Sequence, residues 1–172
     1  MGGLSRKICA IGAAAVVAMG FVLPAGATGL PLAQDLAADA AESDRTGAAI
    51  LVFYMSDSCP YCQRVEELYL EPMLARRTYG DRLLIRAVRA DRASPLRDFA
   101  GKRTDHETFA RREGAFVTPL VQLYAPDGIR LATPLIGFTS PDFYAGELEG
   151  RIEAAIARVP VPAGRLVHLP AE

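Results

Sequence analysis

Eight apolar residues in a row, Ala-Ala-Ile-Leu-Val-Phe-Tyr-Met at 48–55, stand between Gly47 and the polar triplet Ser56-Asp57-Ser58. A run of strand length without alternation is the pattern of a strand buried on both faces. Ahead of it, Leu32, Leu36 and Ala40 recur at helical spacing and predict an amphipathic helix over 31–43. After it, Ser56-Asp57-Ser58 offers turn and capping chemistry, and Val65, Leu68, Tyr69 and Leu74 predict a helix over 63–77. Pro72 inside that stretch must kink or restart the helix, because it has no N–H to donate. Residues 83–88 read as a second buried strand, and 91–102 as a polar loop with a helical turn. Residues 104–113 predict a helix capped by Thr104, with Glu107 three residues on and Gly114 at its end. Residues 120–124 and 129–135 flank Ala125-Pro126-Asp127-Gly128 and predict an antiparallel hairpin. Ser140-Pro141 opens a last helix reaching about 158, with Phe143, Leu148, Ile152 and Ile156 as its apolar stripe. The order α, β, α, β, α, β, β, α predicts an α/β fold: a central mixed sheet with helices on both faces.

The first 27 residues stand apart from this pattern. Arg6 and Lys7, an uncharged apolar run over 8–23, and Ala25-Gly26-Ala27 are the three parts of a cleavable secretory signal. The apolar run is rich in Gly and Ala and shorter than the ~20 residues a spanning helix needs, so no stable membrane anchor is expected after cleavage. The division that follows is 1–27 signal peptide, 28–47 helical extension, 48–159 main domain and 160–172 proline-rich tail. Cleavage moves the formal net charge from −1 to −3 by removing Arg6 and Lys7, and it also removes Cys9. The mature chain is then expected in an extracytoplasmic compartment, the periplasm, where thiols tend to be oxidised. A charge near zero gives no reason to expect nucleic acid as a partner. The stretch 76–112 is locally basic, and it reads as an arginine-rich solvated surface.

Two cysteines remain, in Cys59-Pro60-Tyr61-Cys62. At a strand-to-helix handover the first sulfur lies near the unpaired N–H groups of the helix start. Such sites lower a cysteine pKa from about 8.5 toward roughly 3.5–7.5. The second cysteine is about one turn deeper, within disulfide reach. A loop this small gains little as a staple, so a bond made and broken in reaction explains the spacing better. Zinc would need more ligands, and His106 and His168 stand far apart with no ligand spacing; no metal is expected. Haem attachment needs His after the second cysteine, and residue 63 is Gln. His106 is expected on a polar helix face without a role.

Val117-Thr118-Pro119-Leu120 precedes the hairpin, and a cis peptide is one way to fit Pro119 at a strand entrance. An apolar strand into Cys-x-x-Cys, this Thr-Pro, a hairpin turned by Pro-Asp-Gly, then Gly137-Phe138 and a final helix together resemble the thioredoxin fold over roughly 48–159. Within that superfamily the chain is similar to the periplasmic thioredoxin-related proteins of bacteria, including those linked to sulfur oxidation and cytochrome c maturation. The resemblance implies thiol–disulfide exchange with Cys59 attacking and Cys62 resolving, and no cofactor beyond the redox-active Cys59–Cys62 disulfide. It also implies substrate contacts at Pro60, Tyr61, Thr118 and Pro119, with the Thr118 backbone pairing with substrate as an added strand. Client proteins with disulfides or thiols and a membrane electron donor are the implied partners, and protein-disulfide reduction is the implied direction. The same residues run backwards make an oxidase or isomerase, and a chaperone or assembly factor with incidental cysteines is the competing class.

The departures from thioredoxin proper lie around the cysteines. The position of its buried carboxylate holds Phe53, its tryptophan position holds Ser58, and its Gly-Pro is Pro60-Tyr61. Asp57 and Glu66 are the candidate bases for Cys62. Pro-Tyr is also the glutaredoxin dipeptide, but the glutathione signature does not follow Pro119.

Overall fold

The computed structural model describes residues 29–162. The signal peptide expected over 1–27, Cys9, His168 and the tail beyond 162 lie outside the described residues. Along the chain come α1 (Leu36–Thr46), β1 (Ala49–Met55), α2 (Pro60–Val65), a π segment (Glu66–Leu70) and α3 (Glu71–Ala75). They are followed by β2 (Leu83–Arg89), β3 (Pro95–Arg97), β4 (Arg103–Asp105), α4 (His106–Arg112), β5 (Leu120–Tyr124), β6 (Leu135–Ile136) and α5 (Pro141–Arg158).

All seven residues of β1 are buried, because it is an interior strand covered on both faces. It runs parallel to β2 and antiparallel to β5, and β6 closes the order β2-β1-β5-β6. Leu51, Phe53 and Met55 join Val65, Leu70, Leu148 and Ile152 in one core. Ile50, Val52 and Tyr54 join Leu36, Ala40 and Phe109 in the other. Side chains alternate along a strand, so one uninterrupted apolar run supplies both layers. The result is a mixed sheet with helices on both faces, as the residue pattern predicts. Among the described residues, no helix is long and apolar enough to cross a membrane.

Several local expectations are corrected. The first helix starts at Leu36 and not at residue 31: Asp35 caps it by accepting the Ala38 N–H at 3.0 Å. Residues 31–33 instead form an extended strap along β2, with Ala87 N–H to Pro31 O and Ala33 N–H to Ala87 O both at 2.9 Å. Leu32 is consequently turned to solvent. The helix expected over 63–77 starts earlier, at Pro60, and is broken in register by the π segment, where the Glu71 N–H reaches back five residues to Glu66 O. This wider turn lies directly before Pro72, restarts the helix there, and leaves Leu68 exposed.

The stretch read as a loop over 91–102 contains β3, which pairs with β4 through Leu96 and Thr104. Thr104 therefore lies in a strand, and Asp105 caps α4 in its place by accepting the Thr108 N–H at 2.8 Å. The hairpin turn closes at Gly128, whose N–H bonds Ala125 O at 2.9 Å. The returning arm pairs regularly only at Leu135–Ile136, not throughout 129–135. In α5, Phe143 is exposed, and Tyr144 takes the buried place beside Leu148, Ile152 and Ala155. His106 is 2 % exposed, not on a polar face.

Candidate active site

β1 ends at Met55, and Ser56, Asp57 and Ser58 turn the chain into α2. The cap of that helix is Cys59 itself, not one of the turn residues: Cys59 has extended backbone angles, and its Sγ accepts the Cys62 N–H at 3.1 Å. Its carbonyl accepts from Cys62 N–H and Gln63 N–H, at 3.0 and 3.3 Å. Pro60 follows at the first helical position, where its missing N–H has no partner to lose. Cys59 and Cys62 are joined as a disulfide with α-carbons 5.2 Å apart. Cys59 keeps 9 % exposure and Cys62 none. The two sulfurs thus differ in both access and electrostatics: one borders solvent and receives a backbone donor, while the other is packed in the core.

Tyr61 stands 55 % exposed between the cysteines and stacks on Phe138 at 6.1 Å. Phe138 in turn meets Tyr69 and Tyr144, so the rim of the site is continuous with the core. The Thr118–Pro119 peptide is cis. Antiparallel pairing of Tyr54 with Leu120 carries the two chains onward so that Ser56 Oγ meets Thr118 Oγ1 at 3.2 Å. Pro119 O accepts the Gly137 N–H at 2.8 Å. Pro60, Tyr61, Thr118 and Pro119 are thereby gathered at the same end of the sheet as the cysteines. Phe116 and Val117, just before the cis bond, are exposed apolar neighbours.

The two candidate bases are both engaged elsewhere. Asp57 accepts from Arg89 and from Arg92, whose Nε is 2.6 Å away. The Arg92 bond, opposed by partial burial and reinforced by Arg89, holds its carboxyl below the ordinary carboxylate range. Glu66 Oε1 accepts the Leu30 N–H at 3.0 Å. In the buried cluster that holds both cysteines, Phe53 pairs with Ala87 across β1 and β2, two buried apolar side chains. Sequence reasoning missed Ser56 as the tie to Thr118 and the two arginines around Asp57. Those arginines lie 32 and 35 residues from their partner, and no local pattern marks the contact.

A family model described as "Thioredoxin-like domain" matches residues 36–150. No curated protein matches the chain. Among solved structures, the chain is similar to thioredoxin O2 from Arabidopsis thaliana in its oxidized state, at 13 % identity over 72 % of this chain and 90 % of that one, with a TM-score of 0.47. It is also similar to a single-site mutant of thioredoxin from Halobacterium salinarum, at 19 % identity over 76 % and 95 %, with a TM-score of 0.49.

Proposed function

The chain belongs to the thioredoxin-like family, and from that premise we propose that it is an extracytoplasmic protein-disulfide reductase. The family and the close cysteine pair together support thiol–disulfide oxidoreductase chemistry. The observation that carries the exchange chemistry is the donor at Cys59 Sγ: a backbone N–H at 3.1 Å favours the thiolate over the thiol and so the nucleophile, while the reductase direction rests on the family resemblance.

In the reduced protein, Cys59 thiolate attacks one sulfur of a client disulfide. A Cys59–client S–S bond forms, the client bond breaks, and one client sulfur leaves as thiolate. Cys62, having given up its proton, then attacks Cys59 Sγ; the second client thiolate leaves and the Cys59–Cys62 bond forms. Two electrons pass from the protein to the client, whose thiolates take up two protons. A dithiol donor must restore the reduced pair, and a membrane protein fits that part in a compartment without a cytosolic thiol pool. The Ser56–Thr118 contact at 3.2 Å supports a reading in which the Thr118 backbone, together with Pro60, Tyr61 and Pro119, receives an extended client strand. The signal-like residues 1–27 support the periplasm as the location.

Direction is tested by the reduction potential in a dithiothreitol or glutathione buffer, with insulin reduction as the activity. A reductase lies toward ~−270 mV, and a value near ~−120 mV sinks the reductase reading in favour of an oxidase. Cys62→Ala is expected to accumulate mixed disulfides through Cys59 that mass spectrometry identifies. Full biological effect retained by the Cys59→Ser, Cys62→Ser double variant would instead support the non-enzymatic class.

A further inference from the structure

Phe53 and Ala87 share one buried apolar cluster with both cysteines, and charged side chains stand at the rim of this end of the sheet. There, Met55 and Arg89 form the last register pair of β1 and β2, and Asp57 lies two residues beyond it. Asp57 is held on three sides: its N–H donates to Asp91 Oδ2 at 2.8 Å, one carboxylate oxygen accepts from Arg89, and the other accepts from Arg92. Asp57, Arg89 and Arg92 line a groove of about 380 Å³ with Met55, Ser56, Gln63 and Glu66. The turn that carries Cys59 is thus bolted to the end of β2 by charge-assisted bonds.

We propose that Asp57, Arg89 and Arg92 form a positioning clamp that sets the acidity of Cys59, with its acidic and basic members acting in opposite directions. The proposal rests on Cys59 being the nucleophile. Two carboxylates, Asp57 and Asp91, balance two guanidiniums, so the intact clamp places almost no net charge beside a sulfur two residues from Asp57. Loss of one arginine leaves a carboxylate uncompensated and disfavours the thiolate. Loss of the Asp57 carboxylate leaves a guanidinium uncompensated and favours it. Glu66, at the start of the π segment, lines the same groove, Arg64 lies in the last turn of α2 and Asp142 in the first turn of α5; residues 116–119 and 135–138 carry no charge. Asp57 is two residues from Cys59, and two residues of chain span at most about 7 Å, less than the ~10 Å screening length at ~0.1 M salt, so its influence is strong in dilute buffer and weak at ~1 M.

The test is the rate of iodoacetamide alkylation of Cys59 in the reduced full-length protein against pH, read by mass on the peptide holding Cys59. Arg92→Gln is the primary variant, because Arg92 is 58 % exposed and the fold does not depend on its packing. It is expected to slow alkylation about two- to fivefold at pH 6, and isosteric Asp57→Asn to speed it by a similar factor. Arg92→Lys keeps the charge and restores most of the rate, and all differences shrink at ~1 M salt. Variants that move the rate in the same direction, or not at all, beside a reactive wild type overturn the clamp alone. A wild type no more reactive than a cysteine in a free peptide overturns the nucleophile assignment, and the clamp with it.

Discussion

At the scale of single residues, His106 shows how a polar group survives in a core. Its Nδ1 accepts the Arg89 N–H at 2.9 Å, which leaves the proton on Nε2 to be donated to Ala33 O at 2.8 Å. Both ring nitrogens are satisfied only in the neutral form, since a protonated Nδ1 would face a second donor. Burial accordingly lowers its pKa, against the opposing pull of the Ala33 carbonyl and Asp105. An unfolded histidine titrates near ~6.5, so below that value the unfolded chain binds more protons than the folded one. The stability His106 contributes is complete above about pH 6.5 and is lost as pH falls through the lower folded value. The urea midpoint of the wild type is expected to drop between pH 7.5 and 5.5. His106→Gln should be less stable at pH 7.5 by about 1–3 kcal/mol and flatter across that window. A flat wild-type midpoint would contradict a ring held neutral in the folded protein. The Thr108 N–H holds Asp105, like the arginines around Asp57, below the carboxylate range. Carboxylates of this kind lose their contribution only below about pH 4, outside the histidine window.

At the scale of elements, what the sequence discloses follows the strength of the local signal. β1 was legible because a strand buried on both faces has no polar position to blur it. β3 was not legible: three residues with alternating exposure carry too little pattern, and it exists because its backbone finds β4. The π segment shifted the helical phase, so Leu68, apolar and at the right spacing, faces solvent. In α5, Phe143 and Tyr144 differ by about 100° around the axis, and the tertiary contacts with Tyr69 and Phe138 choose the tyrosine. The start of α4 misled because two capping residues stand side by side. With Asp105 as the cap, Asp105→Ala is expected to cost about 1 kcal/mol in urea unfolding, while Asp105→Asn costs only a fraction of that and Thr104→Ala little. The reverse ranking of Asp105→Ala and Thr104→Ala would return the cap to Thr104.

At the scale of the whole molecule, the positions of the candidate site were legible where they are local and their support was hidden where it is not. Cys59, Cys62 and Thr118-Pro119 are read from adjacent residues, whereas the support behind them is assembled from four distant pieces. The strap at 31–33 bonds Ala87 on the outer edge of β2. Its Ala33 carbonyl fixes His106, His106 takes the Arg89 N–H, and the Arg89 side chain holds Asp57 beside the cysteine turn. The strap thus supports the end of β2 from outside while the clamp uses that end from within. Ala33→Pro removes the N–H that bonds Ala87 O and loosens this edge without altering the sheet interior. Amide exchange is expected to accelerate about tenfold at Ala87 and Arg89, while Leu51 and Leu123 in the interior strands keep their protection. Equal acceleration at all four amides would mean that the strap opens only with the whole domain. No change at Ala87 would mean that β2 needs no outer support, and the chain of contacts reaching Cys59 would then begin at His106.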